Sequence, residues 1–199
     1  MVSVVSICNA ALSNIGKENI NALGEASAEA RACTQFYEQT RDFLLQSYPW
    51  RFATRTLSLA EITNDKPGQW GYAYQRPVDC LKINWLRSAY SADEPALSRP
   101  DELAFAYDVE GQAVYCDLSP ALLVYTTRIT DPTRFSPLFV EALAWQLTVR
   151  LAMPLTRDPR ARADAMQVAG IVTGQAQMAD ANEVREAYDY DTSFVAGRL

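Results

Sequence analysis

Residues 136–155, SPLFVEALAWQLTVRLAMPL, restrict the possible folds more than any other stretch of the chain. Ser136 suits an N-cap and Pro137 the first helical position, where a missing N–H costs nothing. Leu138, Phe139, Val140, Leu143, Trp145, Leu147, Val149, Leu151 and Met153 then leave almost no polar side. Only Glu141, Gln146, Thr148 and Arg150 interrupt, and Pro154 is expected to stop the helix. A helix apolar nearly all round is buried in a large core or in a membrane. This one is barely of membrane length and carries Glu141 and Arg150 well inside it, so no membrane span is expected. It reads as a helix walled in by others, or by copies of itself, with Glu141 in a buried ion pair with Arg150 or another arginine.

The remaining composition narrows the chemistry. At 199 residues and 49% hydrophobic content the chain has enough material for one domain with an inserted lobe. A net charge of −6 argues against gripping nucleic acid, so DNA near this protein is expected to pass without specific binding. The absence of histidine removes the commonest general base and metal ligand, and with it Ser–His–Asp and Cys–His catalysis. Cys8, Cys33, Cys80 and Cys116 are widely spaced without a CxxC, which predicts reduced, buried thiols in a cytosolic protein and no zinc site. There is no GxxxxGK[ST], GxGxxG or HExxH, so no cofactor or metal is expected. The opening MVSVVSICNAAL lacks a basic start and a long apolar region, and no signal peptide is expected.

In chain order, Val4, Val5, Cys8, Ala11, Leu12 and Ile15 recur at helical spacing before Gly16, a C′ stop. Ser27 caps a second predicted helix with the stripe Ala30, Cys33, Tyr37, Thr40, Leu44 and Ser47, leaving Arg41 and Asp42 on the wetter side. Pro49 ends it, and Trp50 and Phe52 anchor the exit. From Thr54 the period becomes two: Leu57 and Leu59, then Trp70, Tyr72 and Tyr74, then Leu81, Ile83 and Trp85. Residues 64–68 and 76–79 read as turns, 88–101 as an exposed loop, and Glu110-Gly111 as a hairpin turn. Residues 54–129 thus predict a small, mostly antiparallel β lobe. Asp158 and Pro159 open a last helix with a small-residue stripe of Ala161, Ala165, Val168, Val172, Ala176 and Ala179, and Arg160 and Asp164 able to pair. The predicted architecture is α+β: a bundle of about four helices from residues 1–53 and 131–180, the β insertion over 54–130, and an extended C-terminal arm over 181–199. Tyr188, Tyr190, Phe194 and Arg198 on that arm, with Ala165 and Val172 on the last helix, are the candidate partner-contact residues.

Paired carboxylates are the main catalytic option left open. Glu25 and Glu29, Asp101-Glu102, and Asp108 with Glu110 are the candidates. Helix-start and turn positions account for each of them, so no catalytic residue is assigned. Trp70, Tyr72 and Tyr74 form a strip that suits either sugar or base stacking or packing beneath a helix, and packing is favoured.

The segment Ala28-Glu29-Ala30-Arg31-Ala32-Cys33, Tyr37, Arg41-Asp42, Leu44-Leu45 and Tyr48-Pro49-Trp50-Arg51-Phe52-Ala53 resembles the phage head-to-tail adaptor (connector) family that includes the tail tubular protein A of short-tailed phages. Residues 8–16 (CNAALSNIG), 76–81 (RPVDCL) and the helix pair at 139–155 and 158–177 resemble it too, in the same order. The resemblance implies a non-enzymatic, virion-located ring subunit, a dodecamer, assembled in the host cytoplasm. Its implied partners are the portal protein above and a tail nozzle or tail tube protein below, with DNA passing through the channel. The alternative is a tail-associated peptidoglycan hydrolase working through a carboxylate pair.

Overall fold

The computed structural model describes residues 2–88 and 105–183, which form an α+β fold of four helices and two small antiparallel sheets. Helix α1 (Val4–Ser13) starts with a reciprocal cap in which Ser6 N–H donates to Ser3 Oγ at 3.0 Å and Ser3 N–H to Ser6 Oγ at 2.8 Å. It ends where Gly16 takes φ +65°, with Lys17 N–H bonded to the Leu12 carbonyl and Gly16 N–H to that of Ser13. That double closure needs a left-handed residue, which glycine supplies without a Cβ penalty.

Helix α2 (Ala28–Ser47) is capped by Ser27 and ends before Pro49, as the sequence predicts. Arg41 departs from its expected wet side: it is 5% exposed. Asp42 next to it accepts from Arg41 Nη2 at 2.8 Å and from Arg128 Nε at 3.1 Å. The long aliphatic stem is buried while the guanidinium finds a carboxylate.

Helix α3 (Pro137–Thr156) is the centre of the bundle, touched by α1, α2 and α4. Among the described residues it alone has the length and apolarity of a membrane span, and here three helices cover it. Its polar residues each have a local reason. Thr148, fully buried, donates to the Ala144 carbonyl at 2.8 Å and accepts from Asn14 Nδ2 of the α1 terminus at 3.1 Å. Gln146 Nε2 donates to Thr173 Oγ1 of α4 at 3.1 Å. Arg150 lies over the ring of Phe43. The expected buried ion pair of Glu141 is absent: Glu141 is exposed and accepts the indole N–H of Trp145, one turn on, at 2.9 Å. Nor does Pro154 stop the helix, which runs to Thr156 and closes at Arg157, φ 55°. So near the end, proline removes only one ladder bond, and Thr156 Oγ1 back-bonds to the Ala152 carbonyl.

Helix α4 (Pro159–Asn182), capped by Asp158, packs along α3. It absorbs positions 181 and 182 of the expected arm; the residues from 184 onward lie outside the described ones. Arg160 and Asp164 are both exposed and do not join in an ion pair within 4 Å.

Between α2 and α3 the chain forms strands β1 (Thr54–Ser58), β2 (Glu61–Ile62), β3 (Tyr72–Gln75), β4 (Cys80–Ser88), β5 (Tyr107–Glu110), β6 (Ala113–Cys116) and β7 (Ala121–Thr127). One sheet has the order β1-β7-β4 and the other β2-β3-β6-β5. The loop expected over 88–101 lies, past Ser88, outside the described residues. The sheets share a core of Leu59, Tyr74, Leu86, Val114, Leu123 and Tyr125. The first also leans on the bundle, Leu81 joining the helical core and Lys82 Nζ donating to the Gln46 carbonyl at 3.0 Å. All four cysteines are buried and unbridged.

Candidate interaction site

Where α2 gives way to the β lobe, Tyr48 is extended and residues 51–53 make a single 3₁₀ turn. An aromatic knot fixes this corner. Trp50 is fully buried, its indole N–H donates to the Leu44 carbonyl at 2.8 Å, and its ring meets those of Tyr48 and Phe139 edge-on at 5.1 Å. Phe52 and Phe135 each lie 5.0 Å from Phe139. Edge-to-face aromatic pairs add to the burial they already contribute.

Above this knot lies a cleft of about 460 Å³, lined by Tyr48, Pro49, Arg51, Thr54, Trp85, Asp180 and Ala181. Asp180 is the unusual group. It is 6% exposed, and its two oxygens share one donor, the Arg51 backbone N–H, each at 3.2 Å. Burial pushes its carboxyl above the ordinary range against the pull of that N–H, and Glu183 adds to the push. Burial, and then the nearby Asp180, likewise raise the Tyr48 phenol. An aromatic-walled cleft with an under-satisfied buried carboxylate can accept a hydrogen bond from an incoming donor. Among its described lining residues Asp180 is the one carboxylate, so the cleft does not offer the facing pair that glycoside hydrolysis uses.

The sequence singled out Tyr48, Pro49 and Arg51 through the resemblance, and Trp85 as a strand residue. It missed Asp180. The signal was present: Asp180 continues the buried spacing of Ala165, Ala169 and Ala176 along one face of α4.

The other candidates separate. Glu25 accepts the Asn21 N–H at 2.8 Å in a local turn, and Glu29 sits in the first turn of α2. Asp108 and Glu110 both face Lys66. Asp101 and Glu102 lie outside the described residues, as do Tyr188, Tyr190, Phe194 and Arg198. Ala165 is 4% exposed, covered within a single chain, and Val172 packs against the helical core. The surface that α4 turns outward is a different one, carrying Met166, Ile171 and Met178 at 66%, 55% and 63% exposure. Tyr74 is buried with its hydroxyl donating to the Leu118 carbonyl at 2.6 Å. Of the aromatic strip, Tyr74 packs between the two sheets with Tyr72 against that core, not beneath a helix, and Trp70 is half-buried outside it.

Compared with models of known protein families the chain matches none, and no curated protein matches it.

Proposed function

We propose that this protein is a structural subunit of a phage head-to-tail connector, forming a ring that docks under the portal and offers its other end to the tail. The observation that carries the reading is the outward face of α4. Residues 165–179 contain no charged side chain, and Met166, Ile171 and Met178 stand more than half exposed on a helix whose opposite face is already packed. A soluble chain rarely leaves an isoleucine and methionines exposed along an uncharged stretch of helix unless another surface covers them. Gly170 and Gly174 on the same helix have open space around their Cα atoms, which lets a neighbouring backbone come close. The resemblance over residues 28–53 supports the same assignment, and the acidic balance suits a conduit that DNA crosses without binding.

The working unit is then a virion-bound ring, a dodecamer by analogy with the resembled family, built in the host cytoplasm without cofactor or catalysis. Its contacts are heterologous and close by rotation. Mixing the purified chain with a portal protein and recording native mass spectra and negative-stain images tests this. Closed rings are expected; a chain that stays monomeric with portal at high concentration overturns the reading. A peptidoglycan gel with the same protein is expected to show no lysis zone.

A further inference from the structure

The β lobe is electrically two-sided. The β1-β7-β4 sheet carries Arg55, Lys82 and Arg87, with Arg128 just beyond β7, and Asp79 just before β4 lies 3.5 Å from Arg55. The β2-β3-β6-β5 sheet and its turns carry Glu61, Asp65, Asp108, Glu110 and Asp117, against Lys66. Among the described residues the edge strands are β1 and β4 in the first sheet and β2 and β5 in the second, and β1 and β5 have no partner on their outer side.

The backbone phase of both edges follows from the pairing. Leu59 N–H donates to the Ala121 carbonyl at 3.0 Å, so alternate residues 57 and 55 also face β7, and Thr56 and Ser58 turn their N–H and C=O groups outward. Across the lobe, the two-residue turn at Gly111 and Gln112 sets Glu110 opposite Ala113, so Tyr107 and Val109 turn their N–H and C=O groups away from β6, while the Val109 side chain packs on the lobe core. The Val109 N–H donates to the adjacent Asp108 carboxylate at 2.8 Å. Four of the five β1 residues are exposed, Leu57 at 45%, and Tyr107 of β5 is 37% exposed. Proteins usually blunt such edges, because an open edge recruits another strand.

Building on the ring reading above, we infer that β1 of one copy pairs antiparallel with β5 of the next, continuing one molecule's basic sheet into its neighbour's acidic sheet. Thr56 then lies opposite Val109 and Ser58 opposite Tyr107, while Arg55 opposite Glu110 and Leu57 opposite Asp108 share the other face, and Arg55 exchanges Asp79 for the two carboxylates. Asp108 gives up the Val109 N–H to the incoming strand and turns to the arginine. The two edges differ in sequence and charge, so a β1–β1 pair sets Arg55 against Arg55 and a β5–β5 pair brings the acidic strands together. Like charges disfavour both, and the contact runs head to tail.

Ser58→Cys and Tyr107→Cys, opposite one another in that register and both at exposed positions, placed in one chain test the seam under copper–phenanthroline and oxygen, which take two hydrogens from each thiol pair as the disulfide forms. The native cysteines are buried, so the introduced thiols are the accessible ones among the described residues. A ladder of dimers, trimers and larger species on a non-reducing gel is expected from the double variant, and monomer from each single variant. Dimers from either single variant mean like edges pair and overturn the proposal. No ladder while the unaltered chain forms rings also overturns it and leaves the ring reading standing; no ring from the unaltered chain removes both. Charge reversal is the second measurement. Arg55→Glu, or Asp108→Arg with Glu110→Arg, is expected to raise the concentration for half-assembly about tenfold or more, and combining all three to restore it. Reversals that leave assembly unchanged, or a combination that fails to restore it in chains of normal circular dichroism, count against the seam.

Discussion

In the bundle, Trp50, Phe139, Leu143 and Leu147 lose all their exposed surface to neighbours on several helices. In the β lobe, β7 is enclosed along nearly its whole length, while β1 keeps four of its five residues in water. The difference follows from backbone chemistry. A helix satisfies its own N–H and C=O groups and needs only to bury a face; a strand needs a neighbour for its backbone as well. Two sheets of three and four strands therefore leave edges that four helices do not. The bundle encloses its helices, and among the described residues the lobe keeps strands at the sheet edges.

If that division is right, the largest loss of stability comes from the bundle. Trp50→Ala removes a fully buried ring, its 2.8 Å bond to the Leu44 carbonyl and the edge contact with Phe139, and is expected to cost about 3–5 kcal/mol by urea unfolding. Leu123→Ala empties a fully buried position in the lobe. It is expected to cost about 2 kcal/mol, the low end of its class, because a thin two-sheet core can close on the space. A loss as large as that of Trp50→Ala would break the comparison. Gly16→Ala forces a Cβ onto φ +65° at the end of α1 with open space around it, and is expected to cost about 1 kcal/mol.

Two aspartates sharpen the contrast through pH. In the lobe, the Thr127 hydroxyl at 2.7 Å, then the Tyr125 hydroxyl and Arg55, hold the Asp79 carboxyl below its ordinary value. A folded-state value below the unfolded one means stability that is present at neutral pH and lost as acid carries the solution below about pH 4. At the bundle corner the Asp180 carboxyl is held up by burial, so its charged form costs stability at neutral pH and acid relieves that cost. Urea midpoints against pH are expected to show Asp79→Asn flattening the acid loss. Asp180→Asn is expected to match or exceed the unaltered protein at pH 7, with the gap narrowing in acid. Slopes of the same sign for both would refute the assignment. The smallest effect is expected from Leu57→Ser on the open edge, within about 0.5 kcal/mol on the single chain, since little surface is withdrawn from water there.

The sequence marked part of the cleft's lining as structural residues and pointed to no site there. The aromatic corner at 48–53 stands out as a motif, and Trp85 falls into phase with Leu81 and Ile83. Asp180 did not, because a polar residue near a helix end has an ordinary explanation in solvent. Only the approach of Arg51 makes it a buried carboxylate.

By itself the sequence determined what depends on residues within a few positions of each other. Ser136 with Pro137, Ser27 and Asp158 set the helix starts, Gly16 closes α1, the apolar run makes α3 central, and period-two patterns mark the strands. The tertiary structure decided what depends on distant partners: the burial of Arg41, the solvated place of Glu141, the continuation past Pro154, and the sheet orders that put β1, β2, β4 and β5 at the edges among the described residues. The reason is range. Caps and periodicity act through bonds closed within a turn, whereas the charge state of a buried group or the neighbour of a strand is set by residues that meet only when the chain is folded, as Arg51 and Asp180 do.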